Sequence, residues 1–158
     1  AVYIALTQSN DFKIFSSNEG RFTVFMPSEV AKSKQTVESD FGEIDLTMFS
    51  AGTDKTGFVV AYSDYPQEIF DIYNSSEMLG WVADGVAADV KGKLLNETKL
   101  KNLGRAAKDY QVKIPGKGIY TSRLILDDKR LYQLITMSSA DDYDERLTKD
   151  FFDSFKIR

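Results

Sequence analysis

The stretch "FVVAY" at residues 58–62 constrains this chain more than any other. Five consecutive apolar residues, bounded by Gly57 before and "SDYP" after, are too few for a buried helix and suit a central strand covered on both faces. A sheet with two covered faces needs a layer on each side. Nearby segments alternate instead, as half-buried strands do. In "RFTVFMP", Phe22, Val24 and Met26 point one way, Thr23 and Phe25 point the other, and Pro27 ends the run. In "EIDLTMF", Ile44, Leu46 and Met48 lie opposite Asp45, Thr47 and Phe49.

Helices are expected to form the layers. "NSSEMLGWVADGVAADVKG" opens with Asn74 three residues before Glu77, the spacing of a capping box. Met78, Leu79, Val82, Val86 and Val90 follow at helical spacing, with Gly92 as the expected stop. Gly80 and Gly85 each cost about 1 kcal/mol relative to Ala inside a helix, so close packing on the sheet is expected there. A second helix is expected in "DDYDERLTKDFFDSF", with Asp142 as N-cap. Its Tyr143, Leu147, Phe151, Phe152 and Phe155 form an aromatic face that belongs in the core, because it follows a strand ending "LITMSS". A short helix is expected in "QEIFDIYN". "KLLNETKL" and "RAAKDYQVKIP" read as neighbouring strands across "KNLG". "GIYTSRLILDDKRLYQLITM" reads as a hairpin turning near Asp127 and Asp128. No linker or repeat interrupts the 158 residues, so residues 1–158 are expected to form one α+β domain.

Composition removes much chemistry. Cysteine and histidine are absent, which excludes thiolate chemistry, disulfides, a histidine-based triad and the commonest zinc ligands. There is no GxSxG, no GxGxxG, and "GKGIYT" lacks the spacing of a phosphate loop. Carboxylates are plentiful, which leaves a carboxylate-dependent hydrolase as a minor alternative, but nothing marks two of them as a facing pair. Asp141, Asp142, Asp144 and Glu145 form an acidic cluster that could take a hard cation. The EF-hand pattern fails for want of its glycine, stabilisation of a helix N-terminus is the favoured explanation, and no metal or other cofactor is assigned.

Charge is distributed unevenly. Residues 35–90 carry a net charge of −10, and residues 91–129 carry +6, within a total of −4. Lys91, Lys93, Lys99, Lys101, Arg105 and Lys108 form the candidate partner-binding set, facing a protein or an anionic membrane surface. Interleaved aromatics are missing and the chain is acidic overall, so nucleic acid is not an expected partner. Arg105 is also a candidate for pairing with a nearby carboxylate. Tyr62, Asp64 and Tyr65, at the end of "FVVAYSDYP", are the candidate pocket for a small ligand or lipid. No apolar run approaches the ~20 residues of a membrane-spanning helix. "AVYIAL" at the start reads as a remnant following an export signal or lipoprotein anchor, although no cleavage site is visible.

The order of these elements resembles the PsbP family, the photosystem II extrinsic proteins and their cyanobacterial relatives. "EGRFTVFMP", "VVAYSDYP", "GKLL" after the long helix, and "KRLYQLITMSS" running into "FFDSFKI" carry the likeness, which spans the chain from about residue 12. The resemblance implies a central, mostly antiparallel sheet sandwiched between helices, an α/β/α arrangement shared with a nuclear family that binds a small GTPase. It also implies a non-catalytic accessory protein, exported to a thylakoid lumen or periplasm and attached to a membrane-associated assembly; a monomer is expected. A cytoplasmic location stays open. Some members bind metal through histidine and carboxylate, which this sequence cannot copy.

Overall fold

The computed structural model describes residues 8–158; "AVYIAL" lies outside them. Ten strands and three helices follow in the order β1 (Phe12–Ser17), β2 (Phe22–Pro27), β3 (Ala31–Ser39), β4 (Gly42–Gly52), β5 (Gly57–Asp64), α1 (Gln67–Ile72), α2 (Ser75–Asp89), β6 (Lys93–Asn102), β7 (Arg105–Ile114), β8 (Gly118–Asp127), β9 (Arg130–Ser138), α3 (Glu145–Ser154) and β10 (Lys156–Ile157). Seven strands form one antiparallel sheet in the order β3-β4-β5-β9-β8-β7-β6. β1, β2 and β10 form a separate small sheet.

β5 lies inside the large sheet, between β4 and β9, and every residue from Gly57 to Ser63 is buried. Its side chains alternate between two cores. Phe58, Val60 and Tyr62 join Phe49, Tyr132 and Leu134 on one face; Val59 and Ala61 join Ile44, Met48 and Leu131 on the other. The second face is covered by Ile69 of α1 and by Met78, Leu79 and Ala83 of α2. The first is covered by Phe151 and Phe152 of α3, Phe155 just after it, and Phe22, Val24 and Met26 of β2. One layer is therefore α3 together with the small sheet, where helix alone was expected. Burying Phe22, Val24 and Met26 leaves Phe25 exposed on the outer side of β2, as its alternation requires.

α2 is capped at its N-terminus as its sequence predicts, and at its C-terminus by a different residue from the one expected. Asn74 and Glu77 do form a reciprocal capping box. At the other end Gly92 is not the left-handed residue; Lys91 is, with φ +54°. Lys91 N–H donates to the Ala88 carbonyl and Gly92 N–H to that of Ala87, which is a Schellman cap. Gly92 is needed for a different reason. A Cβ there would collide with Val112 and stand 2.9 Å from the Lys113 carbonyl oxygen, so the glycine lets the chain pass close over β7. Gly80 and Gly85 do not pack closely on the sheet: the nearest atom to a Cβ at Gly80 is Lys108 Nζ at 3.9 Å, and nothing lies within 4 Å at Gly85.

α3 begins later than expected. Asp144 is its N-cap, accepting from Leu147 N–H at 2.9 Å, whereas Asp142 sits in the preceding turn with its own N–H donated to Ser139 Oγ. Tyr143 thus precedes the helix and is only half-buried, as is Leu147, while Phe151, Phe152 and Phe155 are buried. Arg123 ties the helix down: it holds Asp109 through Nε (2.8 Å) and Nη2 (2.9 Å), reaches Asp153 of α3 at 3.2 Å and lies over the Phe152 ring. Asp109 bonding keeps its guanidinium pKa raised.

Candidate binding site at the end of the central strand

β5 delivers Tyr62 and Asp64 to the same side of the sheet because they are two residues apart. Beyond the reach of α3, that side opens into a depression of about 510 Å³. The turn between β1 and β2 forms one wall. Gly20 there has no room for a side chain, since a Cβ would stand 2.6 Å from the Phe22 ring and 2.8 Å from that of Tyr62. Tyr132 donates its hydroxyl proton to the Gly20 carbonyl, fixing the turn to β9.

Arg130 organises the floor. The register places it opposite Asp64, and it grips that carboxylate through Nε (2.7 Å) and Nη2 (2.8 Å). Nη1 donates to the Glu19 carbonyl at 3.1 Å, and the guanidinium carbon lies 4.4 Å from the centre of the Tyr62 ring. A bidentate pair of this kind is geometrically selective. The arginine holds the Asp64 carboxyl below its ordinary pKa. Glu19 receives Lys34 at 3.0 Å and Lys32 at 3.1 Å, which bring its carboxyl down to about 2.

Not every polar group of the lining is engaged. Tyr62 is 4% exposed, and its hydroxyl has no hydrogen-bond partner among the described residues. Thr47 and Glu19 are near enough to influence it, but neither meets hydrogen-bond geometry, and burial raises its pKa. Glu43 and Asp45 also line the depression, and Asp45 accepts from the Thr36 hydroxyl at 3.2 Å. These two carboxylates are neighbours on one side of β4 and do not face each other across a cleft, so they lack the opposed placement of a hydrolytic pair.

Tyr65, the third expected member, is on the opposite face, as strand alternation after Asp64 dictates. It lines a groove beside α2, and burial pushes its hydroxyl up to about 12. Sequence spacing missed Arg130, Glu19 and Lys34, whose approach depends on pairings across the sheet. Arg105 takes Asp127 as its partner, Nε to Oδ1 at 3.0 Å, and leaves Asp64 to Arg130.

The six basic residues of the candidate partner set do not share one face. Leu95 pairs with Gln111 and Thr98 with Asp109, so Asn96 and Glu97 together oppose Tyr110 alone. This β-bulge, with Asn96 at φ +52°, reverses the alternation of β6. Lys99 and Lys101 consequently lie with Lys108 on the α2 side, while Lys93 and Arg105 lie on the α3 side. Lys91 stands at the end of α2, and Lys108 is paired with Glu97 at 2.6 Å. β6 is an edge strand, where lysines and a bulge also discourage unwanted pairing with another sheet.

Comparison with known proteins finds no matching family model and no matching curated protein. Among solved structures, cyanobacterial PsbP (CyanoP) from Synechocystis sp. PCC 6803 is similar, with a TM-score of 0.66 at 13% identity over 99% of this chain and 98% of that one. A Pseudomonas aeruginosa protein of unknown function aligns with a TM-score of 0.38 at 14% identity over 83% of this chain and 85% of that one, too distant to carry an argument. At such identities the likeness is one of backbone architecture. The chain has the fold of cyanobacterial PsbP.

Proposed function

We propose that this chain is a non-catalytic accessory protein that attaches to a larger, membrane-associated assembly and works there by binding. The observation that carries the reading is the PsbP fold along nearly the whole chain. Through the family resemblance, the proposed assembly is photosynthetic, with the protein an extrinsic, exported component of the thylakoid lumen or periplasm. In this reading residues 1–158 act as a single monomeric domain without a cofactor. No helix among the described residues is long and apolar enough to cross a membrane, which is compatible with attachment through a surface. Lys99 and Lys101, beside Lys108 and the N-terminal end of α2, are the proposed contact on the α2 side, with Lys91 at the opposite, C-terminal end of that helix. Lys93 and Arg105 would meet a partner only from the other side. Exposed charges of this kind steer encounter with an acidic protein or anionic headgroups, and they are screened over ~8 Å at physiological salt. Co-sedimentation with the native membrane fraction across a salt series tests the proposal. Wild type should be recovered at low salt and released as salt rises, and Lys91→Glu/Lys99→Glu/Lys101→Glu should lose association without losing its fold. Equal recovery of both proteins at every salt concentration would refute this surface, and no recovery of wild type would refute attachment.

A second reading, a small-ligand module, is favoured by the depression beside Tyr62 and its unpartnered hydroxyl. The charged lining suits a small polar molecule and not a lipid tail. Saturable binding that is lost in Tyr62→Phe would move this reading to first place.

A further inference from the structure

On the α2 face, toward the end of the helix away from Lys99 and Lys101, a groove of about 410 Å³ runs between α2 and the outer strands β3 and β4. Ile44 and Leu46 form its floor, and Trp81, Val82 and Val86 form its helical wall. Val37, the cross-strand partner of Ile44, carries the apolar surface out to the edge of the sheet. Val37 is 43% exposed and Trp81 is 46% exposed, so the lip of the groove is apolar and open to water. Scattered apolar residues on a surface need no explanation; a continuous strip from helix to sheet edge does.

Two further features bear on what fills it. Gly85 stands one turn after Trp81 on the groove side of α2, and beyond its chain neighbours and the helix's own backbone no atom of the described residues lies within 4 Å of where its Cβ would be. Among the described residues nothing requires glycine there, and the missing side chain leaves the helix backbone open to close approach. The charge is one-sided: Glu38 and Asp40 at the β3 end and Asp89 at the end of α2 line the groove, no lysine or arginine does, and none of the three is ion-paired among the described residues.

We propose that this groove is a docking site for an amphipathic segment of a partner protein, one whose apolar side chains are flanked by lysines or arginines. Apolar anchors would fill the strip against Trp81, close approach would occur over Gly85, and the three carboxylates would meet the flanking cations. Tryptophan at the centre of a contact with a charged rim is the usual anatomy of a strong protein interface. An anionic lipid surface has the wrong sign for this rim. The site is separate from Lys99 and Lys101 and stands or falls independently of the attachment proposed above.

Trp81 is the only tryptophan of the chain, so its emission reports on this groove alone. The probe is a synthetic leucine–lysine peptide of about 18 residues, five helical turns, with no aromatic side chain. Its controls are the leucine–glutamate counterpart and phosphatidylglycerol vesicles. Titrated into the intact chain at low salt, the leucine–lysine peptide should give a saturable blue shift of Trp81, with half-saturation at about 1–100 μM. Gly85→Leu, which fills the groove with a good helix former, should weaken that binding by at least about tenfold. Glu38→Lys/Asp89→Lys should weaken it comparably, and serves if Gly85→Leu does not fold. The proposal is overturned if the peptide leaves Trp81 unshifted, if the leucine–glutamate peptide binds equally, or if folded variants bind like wild type. A saturating blue shift on the vesicles alone would assign the groove to a lipid surface and overturn it equally.

Discussion

Truncating Phe151 to alanine tests whether the aromatic face of α3 is core and not a docking surface. Phe151 is 1% exposed; its ring meets that of Phe58 edge-on, with centroids 5.1 Å apart and planes at 81°, and lies 5.8 Å from that of Phe152. Truncation returns on the order of 100 Å² of apolar burial, or about 2.5 kcal/mol at 25 cal/mol per Å². Loss of the aromatic pairs adds about 0.5–1.5 kcal/mol, and a cavity between α3 and β5 that only partly collapses adds more. The expected cost is about 3–5 kcal/mol. In urea, with a slope of about 2 kcal/mol per molar, the unfolding midpoint should fall by about 1.5–2.5 M at unchanged slope. Coincident transitions by circular dichroism and Trp81 fluorescence would validate two-state treatment. Lys149→Ala, exposed on the same helix and paired only with Asp153, is the control and should cost about 0–1 kcal/mol. A midpoint shift below about 0.5 M for Phe151→Ala would place that side chain in water and refute the packing described here.

Other consequences are as direct. Asp144→Ala should cost about 1 kcal/mol of stability by removing the α3 cap, while Asp142→Ala should be nearly neutral, and denaturant midpoints will separate them. Lys91→Gly relieves a left-handed lysine and should stabilise by about 1 kcal/mol, raising the melting temperature by about 2–4 °C. The Glu19 carboxyl should titrate near 2 by NMR, because Lys34 and Lys32 lower it. Its contribution to stability is therefore complete above the ordinary carboxylate range and is lost as pH falls toward about 2; Glu19→Gln should abolish that acid-dependent part, whereas a midpoint near its ordinary value would contradict the pairing.

Local periodicity carried much of the architecture. β2, β4 and β5 follow from alternation and apolar runs, and the two-residue connections after Asn102 and Asp127 from their turn residues. β3 was not legible, because as an edge strand it is exposed on most of its length and "AKSKQTVES" has no apolar rhythm. β1 and β10 were missed for another reason: their partner is β2, and two residues of β10 are too short for any pattern. At the candidate site, Tyr62 and Asp64 were visible from their place at a strand end. Arg130 was not, since only the β5–β9 register brings it across 66 positions of sequence to Asp64. Lys93 falls on the other side of β6 from Lys99 and Lys101 because one extra residue at the Asn96–Glu97 bulge inverts every side chain after it, and no periodicity announces a bulge.

Attachment through the basic side of β6 is the central claim, and amine-reactive cross-linking on native membranes tests it most directly. The linker is added to chain bound at low salt, and captured lysines are mapped by mass spectrometry against the same chain free in solution. Lys99 and Lys101, exposed on the α2 side, should become linked to partner proteins or lose reactivity on binding, and both effects should vanish at high salt. Lys93, exposed on the opposite side of the same strand, should react equally in both states. Capture through Lys93 with Lys99 and Lys101 unchanged, or reactivity identical bound and free at all three, would contradict the account.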